Sequence, residues 1–191
     1  RNPDLPRFGH PPDRGIIPSM EPHLLPLARS AWQLGHSDES WIAALEAGKV
    51  LYFPRLAFTL SPEEQRFLTP SIRDPKSRNI SLDANGRIKG ALGDDATQAA
   101  LAAMIARFRK QARMLIDSLV TRYADALRLA PTSYRPMQVE TRAQSGLADD
   151  RRLHVDAFPT RPNYGERIRR VFTNVSPRAR SRLWRLGEAV G

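Results

Sequence analysis

Apolar residues recur three and four apart from Leu101 to Leu127, through Met104, Ile105, Phe108, Leu115, Ile116, Leu119, Val120 and Tyr123. That spacing draws one buried stripe along a helix, predicted from about Asp95 to Leu129 and stopped by Pro131. Arg107, Arg109, Lys110, Arg113 and Arg122 populate its other side. A stripe of this kind signals core packing rather than a cofactor box. The helix is therefore expected to be the scaffold for a sheet.

Before it the pattern is shorter and more punctuated. Seven prolines fall by Pro26 with no sustained period, which predicts an extended arm over residues 1–38, with at most a helical turn near Leu24 to Leu34. Asp38 or Ser37 can cap a short helix, Glu39 to Ala47, closed by Gly48. Lys49 to Phe53 reads as a brief strand. Ser61-Pro62-Glu63-Glu64 is a helix start, with Ser61 as cap and Glu64 returning to the cap amide. Asn79 to Leu82 and Arg87 to Ala91 flank Asp83-Ala84-Asn85-Gly86, where Asn-Gly favours a tight hairpin.

After Pro131 the period shifts to alternation. Tyr134 to Thr141 reads as a strand and Gln144 to Asp150 as a polar loop. Over Arg152 to Phe158, Leu153, Val155 and Ala157 share one strand face, while His154 and Asp156 share the other. Pro159 to Gly165 is turn-rich. Ile168 to Val175 reads as the next strand, and Arg182 to Leu186 as one more.

An imidazole and a carboxylate on one strand face supply two corners of the 2-His-1-carboxylate triad that holds Fe(II) and leaves positions open. Alone, the tripeptide does not separate this from a surface or structural pair. The chain has no cysteine, so a metal must be held by His, Asp or Glu. His10, His23 and His36 show no ligand spacing and are expected to be loop histidines.

At 191 residues the chain suits one domain, or a domain with a tail. No apolar run reaches the roughly eighteen residues of a membrane span. The proline-dense start at Arg1 does not resemble a signal peptide and suggests a fragment or a processed chain. The net charge is +10, and only four of the thirty basic residues are Lys. Eight Arg lie between Arg161 and Arg185, against the single acid Glu166. A solvated basic face, nucleic acid or an acidic glycolipid would each account for this.

The run from His154 to Glu188, HVDAFPTRPNYGERIRRVFTNVSP followed by RLWRLGE, resembles the Kdo hydroxylase family. These are Fe(II)- and 2-oxoglutarate-dependent oxygenases acting on 3-deoxy-D-manno-oct-2-ulosonic acid (Kdo), the acidic sugar of the lipopolysaccharide inner core. The likeness is looser back to about Trp41. The fold it implies is α+β: a double-stranded β-helix (jelly-roll) oxygenase core, incomplete at the C-terminus, with an N-terminal helical region that includes the long scaffold helix. Residues 1–38 would be a Pro-rich arm, 39–133 an α/β support region, and 134–191 the first part of the double-stranded β-helix. No histidine follows Asp156. The chain is therefore expected to lack the C-terminal part carrying the second histidine and the basic partner of 2-oxoglutarate, and to be inactive alone.

The resemblance also implies roles. His154 and Asp156 would bind Fe(II), and Asn174 would contact 2-oxoglutarate. Arg161, Arg167 and Arg170 would bind sugar carboxylate or lipid phosphate, and Tyr164 would stack on a sugar ring. Dioxygen is the co-substrate and ascorbate a further candidate. The expected partner is a Kdo-bearing lipid A precursor, met at the cytoplasmic face of the inner membrane of a Gram-negative bacterium through basic charge, with no nucleic acid expected. Two alternatives stay open: a 2-oxoglutarate oxygenase with another substrate, and a non-catalytic basic nucleic-acid-binding module.

Overall fold

The computed structural model describes residues 23–136 and 164–176. In chain order they form β1 (Leu24–Pro26), α1 (Glu39–Glu46), β2 (Val50–Tyr52), β3 (Ile80–Leu82), β4 (Ile88–Lys89), α2 (Asp95–Leu119) and β5 (Thr132–Tyr134), with short 3₁₀ turns between. The expected strands at Arg152 to Phe158 and Arg182 to Leu186 lie outside the described residues.

Helix α2 begins where Asp94 accepts the Thr97 amide at 2.8 Å. Side-chain and backbone hydrogen bonds from Thr97 hold the Asp94 carboxyl below its ordinary range. Leu101, Met104 and Ile105 are buried in its first half and Leu115 and Leu119 in its second, the stripe that the spacing foretold. The helix stops at Leu119, ten residues before the predicted Leu129. Val120 leaves helical geometry at φ −124 and ψ 54, and a 3₁₀ stretch runs from Thr121 to Ala126. The adjacent β-branched Val120 and Thr121 suit a helix poorly. The Ser37 hydroxyl donates to the Leu119 carbonyl at 2.8 Å, and Arg113 donates to the Ala124 carbonyl at 3.0 Å. Side chains thus satisfy carbonyls that a longer helix would have paired.

Strand β3 lies between β4 and β5, antiparallel to both. Ile80 and Leu82 face inward, and Ser81 between them is only half-buried. The β3–β4 connection follows its sequence. The Asp83 carboxylate accepts the amides of Asn85 and Arg87 at 3.0 and 2.9 Å, and Gly86 takes the left-handed φ of 81° that closes the turn. Strand β5 arrives from beyond α2 and pairs Ile80 with Tyr134, so one sheet joins chain on both sides of the helix.

Around this sheet lies a first core of Phe58, Phe67, Ile80, Leu82, Leu101, Met104, Ile105 and Tyr134. The box at Ser61 forms as expected: the Ser61 amide donates to Glu64 at 2.8 Å and the Glu64 amide to the Ser61 hydroxyl at 3.2 Å. Only a 3₁₀ turn, Glu64–Phe67, follows it, which drops Phe67 into the core. The Tyr134 hydroxyl donates to the Phe67 carbonyl at 2.8 Å, and burial pushes its pKa up to about 12.

A second core gathers Trp41, Ile42, Leu115, Leu119 and Val120. The stretch from Leu24, where a helical turn was expected, is instead the strand β1, parallel to β2 with Leu25 opposite Leu51. Pro26 cannot supply a helical amide, but an edge strand tolerates it. Leu25, Leu27, Leu51 and Phe53 pack on this core. The end of the proline-rich arm is therefore part of the body. Trp32 touches both cores, donating its indole N–H to the Ala57 carbonyl at 3.2 Å.

Among the described residues, the expected strand from Ile168 to Val175 pairs with no neighbour. Its exposure still alternates. Arg169, Val171, Thr173 and Val175 are half-buried, while Ile168, Arg170, Phe172 and Asn174 are exposed. The period of two foretold the alternation of exposure, but the expected strand is not formed among the described residues, since a ladder needs a partner strand besides.

Tyr134→Phe should cost about 1 kcal/mol in urea unfolding at neutral pH, the worth of the lost hydrogen bond. That difference should shrink above about pH 10. There the unfolded tyrosine ionises at its ordinary 10.0, whereas the folded phenol stays neutral to about 12. Wild-type stability is thus complete below the lower value and falls as pH rises through the upper one, by up to roughly 1.4 kcal/mol per unit. An equal gap at both pH values would contradict the buried phenol.

Candidate functional site

Most of the side chains nominated for chemistry fall in the last third of the chain. His154, Asp156 and Arg161 lie outside the described residues. Tyr164, Arg167, Arg170 and Asn174 belong to the extended segment 164–176, and the geometry of the site is the geometry of what holds that segment.

The segment enters through a turn in which Tyr164 has φ 49 and Gly165 φ 80. Tyr164 is 89% exposed, its ring standing in solvent. Glu166 pairs with Arg128 at 2.9 Å, an exposed contact worth little by itself. Arg167 and Arg169 both reach Glu46, the last residue of α1. Val171 then packs on the second core and Val175 on the first. Arg169, Val171, Thr173 and Val175 turn towards the body and, with Arg167 reaching Glu46 from an exposed position, anchor the segment.

The even-numbered positions face outward. Arg170, Phe172 and Asn174 stand on one exposed row, successive members about 6.6 Å apart for extended backbone. The Asn174 Oδ1 accepts the Ser176 amide at 3.1 Å. A guanidinium, a ring and an amide donor together can meet an anionic, partly apolar ligand. The structure thus places Arg170 and Asn174 on one row about 13 Å apart, engages Arg167 with Glu46, and places Tyr164 at the entering turn.

Glu46 was not foreseen. Its one sequence signal is a carboxylate in the last turn of a helix with no basic residue there, the end where the backbone dipole disfavours negative charge. Val171 and Val175 as anchors were legible only as apolar positions of a strand.

The cationic side of α2 is largely engaged within the chain. Arg107 pairs with Glu64 and lies 4.2 Å from the Phe58 ring centroid. Arg109 donates to Thr132 at 3.0 Å and to the Leu82 carbonyl, Arg113 pairs with Asp117 at 2.8 Å, and Arg122 with Glu39 at 2.7 Å. Arg107 and Arg109 tie the helix to its surroundings, the Arg113–Asp117 pair lies within it, and Arg122 follows it in the 3₁₀ stretch. Among the described residues, no three His, Cys, Asp or Glu side chains gather as a metal would require. His36 sits instead against Trp41, with ring centroids 5.6 Å apart. No helix of the described residues is long and apolar enough to cross a membrane.

The family model for 3-deoxy-D-manno-oct-2-ulosonic acid (Kdo) hydroxylase matches residues 30–190. Similar solved structures are of the Kdo hydroxylase KdoO, a non-heme Fe(II) alpha-ketoglutarate-dependent dioxygenase. Its apo form shares 34% identity at a TM-score of 0.65, covering 71% of this chain and 47% of that one. The cobalt(II) complex shares 33% at 0.66, covering 72% and 47%. The complex with alpha-ketoglutarate and Fe(III) shares 34% at 0.64, covering 71% and 46%. The matched region thus spans just under half the length of these structures. A comparison with curated proteins returned no match.

The two faces of the segment predict opposite mutational outcomes. Val171→Ala should lower stability by about 1 kcal/mol through lost packing on the second core. Phe172→Ala should stay within about 0.5 kcal/mol of wild type in the same thermal or urea melts. Equal losses would mean the anchoring face is misassigned.

Proposed function

This chain belongs to the Kdo hydroxylase family, and on that premise we propose that the protein is an Fe(II)- and 2-oxoglutarate-dependent dioxygenase that hydroxylates the Kdo sugar of a lipid A precursor. The observation that carries the reading is the family match, which runs through His154, Asp156 and the whole anchored segment. The likeness to KdoO structures holding alpha-ketoglutarate or succinate with iron supports the cofactors. A jelly-roll oxygenase core, begun by residues 134–191, is part of the same proposal.

The donor set fits ferrous iron. His154 and Asp156 stand two apart, the spacing that would put both on one face of a strand, and without cysteine there is no thiolate to favour a softer metal. His154 and Asp156 would hold the ion, with a further histidine completing the triad. When bound, iron and 2-oxoglutarate supply the oxidising chemistry, one atom of dioxygen passing to succinate and the other to the sugar, with release of carbon dioxide.

The chain's own residues bind and orient. Asn174 would contact 2-oxoglutarate through its side-chain amide. Arg170, on the same row, has the fixed fork that suits the sugar carboxylate or a lipid phosphate. Arg161 would extend that positive charge, Arg167 being engaged by Glu46, and Tyr164 would present an exposed ring to the sugar. The net charge of +10 would hold the enzyme on the anionic cytoplasmic face of the inner membrane, where its substrate is made.

Full-length protein supplied with Fe(II), 2-oxoglutarate and Kdo-bearing lipid A precursor should release succinate and hydroxylated Kdo in step. His154→Ala or Asp156→Ala should lower that turnover at least about a hundredfold. Succinate formed only with an unrelated substrate would overturn the specificity. Sedimentation with anionic vesicles should be lost on raising salt from about 0.1 to 1 M; binding that survives high salt would exclude the electrostatic attachment.

A further inference from the structure

Glu46 ends α1, where unpaired backbone carbonyls already carry partial negative charge. Nothing basic in the helix's last turn offsets it. The offset comes from far along the chain: Arg167 and Arg169 each place a guanidinium on one oxygen of the Glu46 carboxylate. The Glu46 and Arg169 side chains are 30% and 28% exposed, so water only partly screens that contact, whereas the Arg167 side chain is 65% exposed and its contact is screened more.

Two guanidinium groups two residues apart on one acid define a register. Sliding the segment by one residue would turn both away from Glu46 and present either Glu166 and Ile168, or Ile168 and Arg170, in their place. In the first slip an acid would face an acid. The same slip would turn Arg170 and Asn174 from the outward row into the body. Val171 and Val175 resist it by packing, but apolar contacts discriminate weakly between neighbouring apolar positions such as Ile168 and Phe172.

We infer that Glu46 is a positioning residue for the site: through Arg167 and Arg169 it sets the register in which Arg170 and Asn174 are presented to ligand. This rests on the reading of that row as the face meeting 2-oxoglutarate and the acidic sugar. It adds a residue of the first helix, far from the His154 and Asp156 pair in sequence, to the apparatus of the reaction.

The test uses full-length protein carrying Glu46→Gln, Glu46→Asp, Arg169→Gln or the double change Glu46→Gln with Arg169→Gln. Two quantities are read: amide hydrogen exchange over residues 168–175, and the KM for 2-oxoglutarate against kcat. Glu46→Gln should speed that exchange about fivefold, with exchange in the middle of α2 unchanged. It should raise the KM about fivefold with kcat within about twofold. Glu46→Asp, which keeps the charge, should recover most of both effects. The double variant should be no worse than Glu46→Gln alone, because that change already removes the contact Arg169 makes. Unchanged exchange and KM in Glu46→Gln, or effects of the two single changes that simply add, would overturn the inference. If the wild-type protein makes no succinate from a Kdo substrate, the proposed function fails separately, and exchange with its additivity still decides the role of Glu46.

Discussion

One helix serves two cores, and the rest of the described structure depends on that constraint. The first half of α2 buries Leu101, Met104 and Ile105 against the three-stranded sheet, and its second half buries Leu115 and Leu119 against α1. A stripe must stay in phase through twenty-five residues to do both. The two ends are also tied sideways, by Trp32 across both cores and by Arg109 to β3 and β5. Small sheets of two and three strands have little independent stability. Packing against α2 is what makes them persist.

The segment that bears Arg170 and Asn174 follows from the same helix. Ile105 and Leu115 are about 15 Å apart along the axis at the usual helical rise. Val171 and Val175 are about 13 Å apart in extended backbone. Four residues of extended chain therefore reach from the second core back to the first, running opposite to α2. With alternate side chains committed to these cores and to Glu46, the intervening side chains must point away. The outward row is thus a consequence of how far apart two apolar clusters lie on one helix.

Charge is organised by the same body. A chain with a net charge of +10 would repel itself were its arginines clustered without acids, yet Arg107, Arg113 and Arg122 each meet a carboxylate. Buried or half-buried guanidinium groups need such partners more than exposed ones do. The same holds in the last third, where Arg167 and Arg169 meet Glu46. Such pairing also explains why composition alone left glycolipid, nucleic acid and plain solvation equally open.

What the sequence determined by itself was local. The Asp38 and Ser61 caps, the turn at Asp83 to Gly86, and the three-and-four stripe through Leu119 depend on residues within a few positions of one another, so propensity and spacing suffice to read them. The run from His154 to Glu188 likewise carried its family likeness as a linear string. The tertiary structure alone decided where α2 ends, since Ser37 meets Leu119 from 82 positions away, and that Leu24–Pro26 is a strand, since its partner is β2. It also decided which face of 168–175 looks outward, and that Glu46 holds Arg169 from 123 residues away. These depend on distances between parts of the chain that become neighbours only when the cores close, and no local period records such a distance.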